Sequence, residues 1–85
     1  MNSNKQNLIN KIKYRSQYRG TKEMDIFVNS FVNKIINDLN FDELEHLNNI
    51  INLSDEEIIK ISNGEKNPNV EEGIVSLLID FKIKY

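Results

Sequence analysis

Residues that could carry out catalysis or bind a metal are few in this sequence. The chain of 85 residues has one histidine, His46, and no cysteine. Asp42 and Glu43 lie four and three residues before His46, so on a helix their carboxylates could pair with its imidazole. A zinc site needs three or four converging ligands, and no second histidine or thiolate is present to complete one. The pattern therefore indicates a histidine on a helix surface rather than a metal centre.

Nucleophilic catalysis and nucleotide binding also lack their usual patterns. A serine nucleophile needs a base and a group that orients the base, and His46 is the only imidazole. The three glycines, Gly20, Gly64 and Gly73, are isolated, so no glycine-rich loop is present to hold phosphate. The absence of cysteine excludes disulfides. We therefore predict that the chain is not an enzyme and has no cofactor or metal of its own.

Charge is distributed unevenly along the chain. Residues 1–22 contain six Lys or Arg and no Asp or Glu, although the formal net charge of the whole chain is −2. A basic arm on an acidic body is typical of a protein that docks on an acidic partner or on nucleic acid. The pI of about 5.3 argues against nucleic acid, because an acidic body repels phosphate.

The segment Tyr14 to Asp25 contains both arginines and two of the three tyrosines. Arg and Tyr are enriched in interface hot spots, because each combines a broad contact area with directed hydrogen bonds. The same residues could equally have structural roles. Arg19 could close one helix with Gly20 as its C′ residue, and Glu23 could neutralise Arg19 or cap the next helix. Residue types alone leave an interface and a purely structural role open.

Hydrophobic periodicity predicts an all-α fold, a small compact five-helix bundle in a single domain spanning residues 1–85. The strongest apolar stripe belongs to the second helix, which we expect to be central. Apolar runs are short and the N-terminus lacks an apolar signal segment, so we expect a cytoplasmic monomer with no membrane insertion. The predicted helices span about 4–18, 21 or 22–39, 41–51, 55–63 and from Pro68 onward.

Helix boundaries are marked by capping patterns. Asn40 with Glu43, and Ser54 with Glu57, have the spacing of capping boxes, so they predict the starts of the third and fourth helices. Gly64 is placed to end the fourth helix. Pro68 suits the first position of the fifth, where its missing N–H is not needed.

The run from Tyr14 to Glu23 resembles the signature of the succinate dehydrogenase FAD assembly factors of the SdhE type. Their hallmark resembles Leu-x-Tyr-x-Ser followed by an Arg-Gly-x-x-Glu turn, and Tyr14, Ser16, Arg19, Gly20 and Glu23 match it. Asp25 matches an acid that is common just after the turn. The resemblance extends over about residues 10–82 and includes Leu77, Leu78, Asp80 and Phe81 of the last helix.

The chain departs from the family pattern at a few positions. Thr21 replaces the Met usual after the glycine, and Met24 stands where Leu is commoner. Ile61 occupies the position of a Trp that many relatives carry. We interpret that Trp as a packing residue, so its loss affects the core more than activity.

The resemblance implies a five-helix protein that binds the flavoprotein subunit of succinate dehydrogenase, and in some bacteria that of fumarate reductase. Such factors promote a covalent bond between a histidine of that subunit and the flavin 8α-methyl group. The catalytic groups and the FAD belong to the client, and the assembly factor acts by holding the client in a reactive geometry.

The resemblance also implies roles for the residues of the turn. Arg19 would offer a bidentate fork to a client carboxylate, and Gly20 would permit close backbone approach. Glu23 would accept from a client donor or hold Arg19 in position. An alternative is a small helical nucleic-acid-binding or adaptor protein that docks through its basic N-terminal face. The neighbours expected on the docking face are Tyr14, Arg15, Tyr18, Lys22 and Asp25.

Overall fold

Helices make up nearly all the regular structure of the chain. In a computed structural model that describes residues 3–17 and 19–85, those residues form five α-helices, one 3-10 turn and no strand. The all-α fold and the number of helices are thus confirmed. The helices are α1 (Ser3–Ser16), α2 (Lys22–Ile35), α3 (Phe41–Ile51), α4 (Asp55–Ser62) and α5 (Glu72–Lys84), and the 3-10 turn spans Ile36–Asp38.

The apolar stripe of α2 is buried in the core. Phe31 and Val32 are almost completely buried, and each fully buried side chain of this size stabilises the fold by about 1.5–3 kcal/mol. α1 packs against α2 and α3, and α5 packs against α3 and α4. Ile61, at the position of the family Trp, is also buried in this core. The core members are Ile9, Ile12, Met24, Phe27, Val28, Phe31, Val32, Ile36, Leu39, Leu44, Leu47, Ile50, Ile51, Ile58, Ile61, Ile74 and Leu78.

The C-terminal end of α2 differs from the prediction that this helix continues to Leu39. The α-helix ends at Ile35, and Ile36–Asp38 tighten into a 3-10 turn. Leu39 and Asn40, the N-cap of α3, both have extended backbones, which separate the 3-10 turn from α3. Ile36 and Leu39 are buried all the same, so their spacing indicated burial correctly but not helical geometry.

The predicted capping boxes at the starts of α3 and α4 are both present. The Asn40 side chain accepts from the Glu43 N–H at 2.8 Å, and Glu43 accepts from the Asn40 N–H at 2.9 Å. Ser54 and Glu57 exchange the equivalent bonds at 3.2 and 3.1 Å. Both helix starts are therefore determined by side chains within four residues of each other.

α5 begins at Glu72, four residues later than predicted from Pro68. Val70 N–H donates to the Asn67 carbonyl oxygen at 3.3 Å, and Asn69 N–H donates to the Asn67 side chain at 2.9 Å. Asn67 therefore opens a turn in which proline takes the second position, where its fixed φ is favourable. Pro68 was wrongly interpreted as a helix start because the same φ suits both settings.

Aromatic rings join α2 to α5. The ring centroids of Phe27 and Phe81 lie 5.7 Å apart, and those of Phe31 and Phe81 lie 5.5 Å apart. Tyr85 stands edge-on to Phe27 at 5.2 Å. Such tilted pairs add about 0.5–1.5 kcal/mol beyond the area they bury, so they hold α5 on the side of α2.

No helix in the described part of the chain combines the length and apolar character needed to cross a membrane.

Candidate functional site

The predicted docking residues lie in the connection between α1 and α2 and in the helix ends on either side of it. α1 ends at Ser16, earlier than the predicted end at Tyr18. Gln17 N–H donates to the Tyr14 carbonyl oxygen at 3.2 Å, three residues back, which tightens the last turn. Tyr18, one of the predicted docking residues, lies outside the described residues.

Gly20 has a backbone conformation that favours glycine, but the prediction that it is the C′ residue of the first helix was wrong. Its φ is +119°, a region that other residues rarely adopt. α1 has already ended four residues earlier, so Gly20 is not its C′ residue. A Cβ at Gly20 would have no neighbour within 4 Å, so backbone geometry, and not crowding, requires glycine here.

Local hydrogen bonds join the end of α1 to the start of α2. The buried Ser16 hydroxyl lies 2.8 Å from the Lys13 carbonyl oxygen and 3.2 Å from the Asn29 side-chain oxygen. The Arg19 backbone N–H donates to the Asp25 carboxylate. Thr21 is the N-cap of α2, accepting from Met24 N–H at 3.2 Å. Ser16 and Asp25 thus have structural partners within the chain.

The guanidinium group of Arg19 reaches across to the junction between α3 and α4. Its Nε donates to Asp55 Oδ1 at 2.9 Å, and one terminal nitrogen donates to the Leu53 carbonyl oxygen at 2.6 Å. The other terminal nitrogen donates to the carbonyl oxygen of Ile51, the last residue of α3. Arg19 therefore satisfies a carbonyl at a helix C-terminus that has no partner within the helix.

These contacts change the role predicted for Arg19. Its side chain is only 10% exposed, and three of its five N–H groups are donated within the chain. The expectation of a free fork for a client carboxylate does not fit this geometry. The alternative that Arg19 closes helix one is also wrong, because it closes α3. Asp55, and not Glu23, holds the guanidinium.

Arg15 provides a second connection to the same junction. Its guanidinium donates to the side-chain oxygen of Asn52, the C-cap residue of α3. Arg15 is exposed, unlike Arg19. Both arginines of the basic arm thus donate across the chain to residues 51–55, but only Arg19 is withdrawn from the basic surface.

Several of the predicted docking residues remain at the surface. The Glu23 side chain forms no hydrogen bond or ion pair among the described residues. Tyr14 is 66% exposed, and Gly20 faces open space. These residues lie at one end of the α1–α2 pair, because α1 ends and α2 begins there. We call the exposed set the turn surface: Tyr14, Arg15, Gly20, Lys22 and Glu23.

His46 lies elsewhere, beside a shallow depression of about 460 Å³ with Asp42, Glu43 and Glu71 on its lining. Glu43 caps α3 and does not pair with the histidine. Within residues 3–17 and 19–85, no group of three His, Asp or Glu side chains is arranged to hold a metal ion.

Comparison with known protein families shows which family the chain belongs to. The family model described as the flavinator of succinate dehydrogenase matches residues 10–82. The chain belongs to this flavinator family. The match covers every residue of the turn surface and confirms the resemblance seen in the sequence. The chain matches no curated protein and no solved structure at a significant level.

In this flavinator family member, sequence reasoning missed the residues that hold the turn in place. Asp55, Ile51 and Leu53 receive the Arg19 guanidinium, but they lie more than thirty residues away along the chain. Two of these contacts use backbone carbonyls, which no residue type reveals. Asp55 was visible only as part of an acidic helix start, and no sequence pattern pairs it with Arg19.

Proposed function

We propose that this chain binds the flavoprotein subunit of succinate dehydrogenase and promotes covalent attachment of FAD to that subunit. The chain acts as an assembly factor and carries out no chemistry of its own. The FAD and the reacting histidine belong to the client. The flavoprotein subunit of fumarate reductase is a second client of the same kind.

Family membership over residues 10–82 is the observation that carries this proposal. The turn offers a suitable docking site for a protein partner, since it combines an exposed tyrosine, an open glycine backbone and charges of both signs. Tyrosine and arginine in such a setting are common anchors of protein interfaces.

We assign direct contact with the client to three residues of the turn surface, Gly20, Lys22 and Glu23. Gly20 presents a backbone that a partner can approach closely, because no side chain of the described residues stands over it. Glu23 offers a carboxylate with no intrachain partner among those residues, ready to accept from a client donor. Lys22, beside it, provides a cation at the same helix start.

The physical basis of the activity would be control of client conformation. A partner shifts a client towards one conformer only by binding that conformer more tightly. Positioning of reacting groups alone can lower a barrier by about 7–11 kcal/mol in favourable cases. The assembly factor therefore needs no catalytic side chain if it holds the client with flavin and histidine correctly aligned.

Co-expression with the client tests this function. The chain is expressed with its cognate flavoprotein subunit in a host that lacks its own assembly factor, and covalent flavin is measured by in-gel fluorescence after denaturation. We expect a strong band that depends on the chain and weakens with Glu23→Ala. Glu45→Ala removes an equally exposed carboxylate from α3 and is the matched control. A band of equal strength with and without the chain would rule out the proposal.

A further inference from the structure

We propose that Arg19 is a positioning residue, which promotes client binding by holding the α1–α2 turn against the α3–α4 junction and not by touching the client. The inference rests on the proposed function, since it concerns the site through which the client is bound. It assigns the arginine of the family turn an intramolecular role, and it adds Asp55 to the residues on which binding depends.

The contacts of Arg19 support a positioning role. Its side chain is 10% exposed, and its three side-chain hydrogen bonds all end on residues 51–55. Its backbone N–H, in addition, donates to Asp25 in the first turn of α2. One residue thus joins three elements: the turn, the start of α2 and the junction between α3 and α4.

The position of Arg19 next to Gly20 also supports a positioning role. Gly20 follows it directly and has a φ of +119°. Glycine gives the backbone many accessible conformations, so a turn of this kind needs restraint from outside if it is to keep one shape. Arg19 supplies the restraint next to the glycine, and Thr21 supplies a cap on the other side.

Restraint of the turn should increase affinity for the client. A loop that becomes ordered on binding loses conformational freedom at that moment, and a loop already held in its bound shape avoids the loss. Gly20, Lys22 and Glu23 would therefore be presented in one arrangement before the client arrives. The acceptors in the α3–α4 junction are as important for this as the donor.

The experiment combines hydrogen exchange of the free chain with a double-mutant cycle on client affinity. Arg19→Met removes the N–H donors and keeps the aliphatic stem, while Asp55→Asn weakens one acceptor. Lys34→Met loses the same charge at an exposed position on α2. Leu78→Ala destabilises the core from α5 and controls for stability alone. Affinity for the purified flavoprotein subunit is measured at a temperature where all variants are folded.

A positioning role predicts a specific set of results. In the free chain, Arg19→Met should speed amide exchange at residues 20–25, whereas Leu78→Ala should not do so selectively. Arg19→Met should weaken client binding by about tenfold or more. Lys34→Met and Leu78→Ala should stay within about twofold of the unmodified chain. The Arg19→Met, Asp55→Asn double variant should bind no more weakly than Arg19→Met alone.

Two results would overturn the inference. Additive losses from Arg19→Met and Asp55→Asn, with unchanged exchange in the turn, would mean that Arg19 contacts the client itself. Equal binding by Arg19→Met and Leu78→Ala would leave Arg19 with a role in stability only. If the unmodified chain does not bind the flavoprotein, the proposed function fails. The exchange comparison on the free chain then decides by itself whether Arg19 orders the turn.

Discussion

Two turns in this protein contain a glycine with positive φ, but different forces hold them in place. Gly64, with φ of +97°, follows α4. There, Gly64 N–H donates to the Ile61 carbonyl oxygen and Glu65 N–H donates to that of Lys60, both at 3.0 Å. These are the two bonds of a Schellman motif, so the turn closes on the helix that precedes it.

Gly20 lies in a turn that is held mainly by distant residues. Its neighbour Arg19 donates to Asp55 and to carbonyl oxygens at the end of α3 and in the linker that follows. The turn after α4 can thus form once its own helix forms, whereas the α1–α2 turn requires α3 and α4 to be in place. This difference separates a turn that closes on its own helix from the turn that we propose as the docking site.

The largest expected effect comes from removing the long-range bonds of the α1–α2 turn. Arg19→Met should lower the free energy of unfolding by about 3 kcal/mol. The substitution removes the hydrogen bonds from the charged guanidinium to Asp55 and to two backbone carbonyl oxygens. Glu65→Ala, in the turn after α4, should change it by less than about 0.5 kcal/mol, since only the backbone of Glu65 is used there. Urea unfolding of both variants measures the difference, and equal losses would remove the contrast between the turns.

Substitution of the two glycines sharpens the contrast between stability and function. Gly20→Ala and Gly64→Ala should each lower the free energy of unfolding by about 1–2 kcal/mol, because each forces a Cβ into a positive-φ conformation. Neither Cβ would meet another atom within 4 Å, so strain alone sets the loss. Client flavinylation should fall only for Gly20→Ala at a temperature where both variants are folded. A similar fall for Gly64→Ala would show that the effect is general.

Loss of a helix N-cap should have the smallest effect on the free energy of unfolding. The effect should be similar at the start of α2 and at the start of α4. Thr21→Ala and Ser54→Ala each remove a side-chain acceptor at a helix N-terminus. We expect losses of about 1 kcal/mol in the free energy of unfolding for each, with Thr21→Ser and Ser54→Thr restoring most of it. Thermal or urea unfolding measures these values. A loss at Thr21 several times larger than at Ser54 would mean that the α1–α2 turn depends on its cap as well.

The sequence predicts those parts of the fold that depend on neighbouring residues. The boxes of Asn40 with Glu43 and Ser54 with Glu57, the stop at Gly64 and the stripe of α2 were all visible as spacings of a few residues. Pro68 was misassigned because its φ fits a turn as well as a helix start. The end of α1 was placed too late because Gly20 was interpreted as its C′ residue. The end of α2 was placed too late because 3-10 tightening overrides the apolar pattern there.

The motif residues drew attention to the α1–α2 turn, and the family match over residues 10–82 includes it. Its role in docking stays a prediction, and its internal connections were not predictable. The partners of Arg19 could not be predicted, since two are backbone carbonyls and the third, Asp55, is far away in sequence. The residue type suggested a guanidinium group free to bind a client carboxylate, whereas in the folded protein this group donates hydrogen bonds within the chain.

In our proposal, this chain promotes flavinylation through the exposed part of its α1–α2 turn. The most direct test is a time course with purified components: the flavoprotein subunit loaded with non-covalent FAD, with and without the chain, followed by fluorescence of the denatured subunit. We predict that the chain accelerates covalent attachment, that Glu23→Ala loses most of the acceleration, and that Glu45→Ala retains it. Equal rates with and without the chain would contradict the function, and equal rates for Glu23→Ala and Glu45→Ala would contradict the proposed surface.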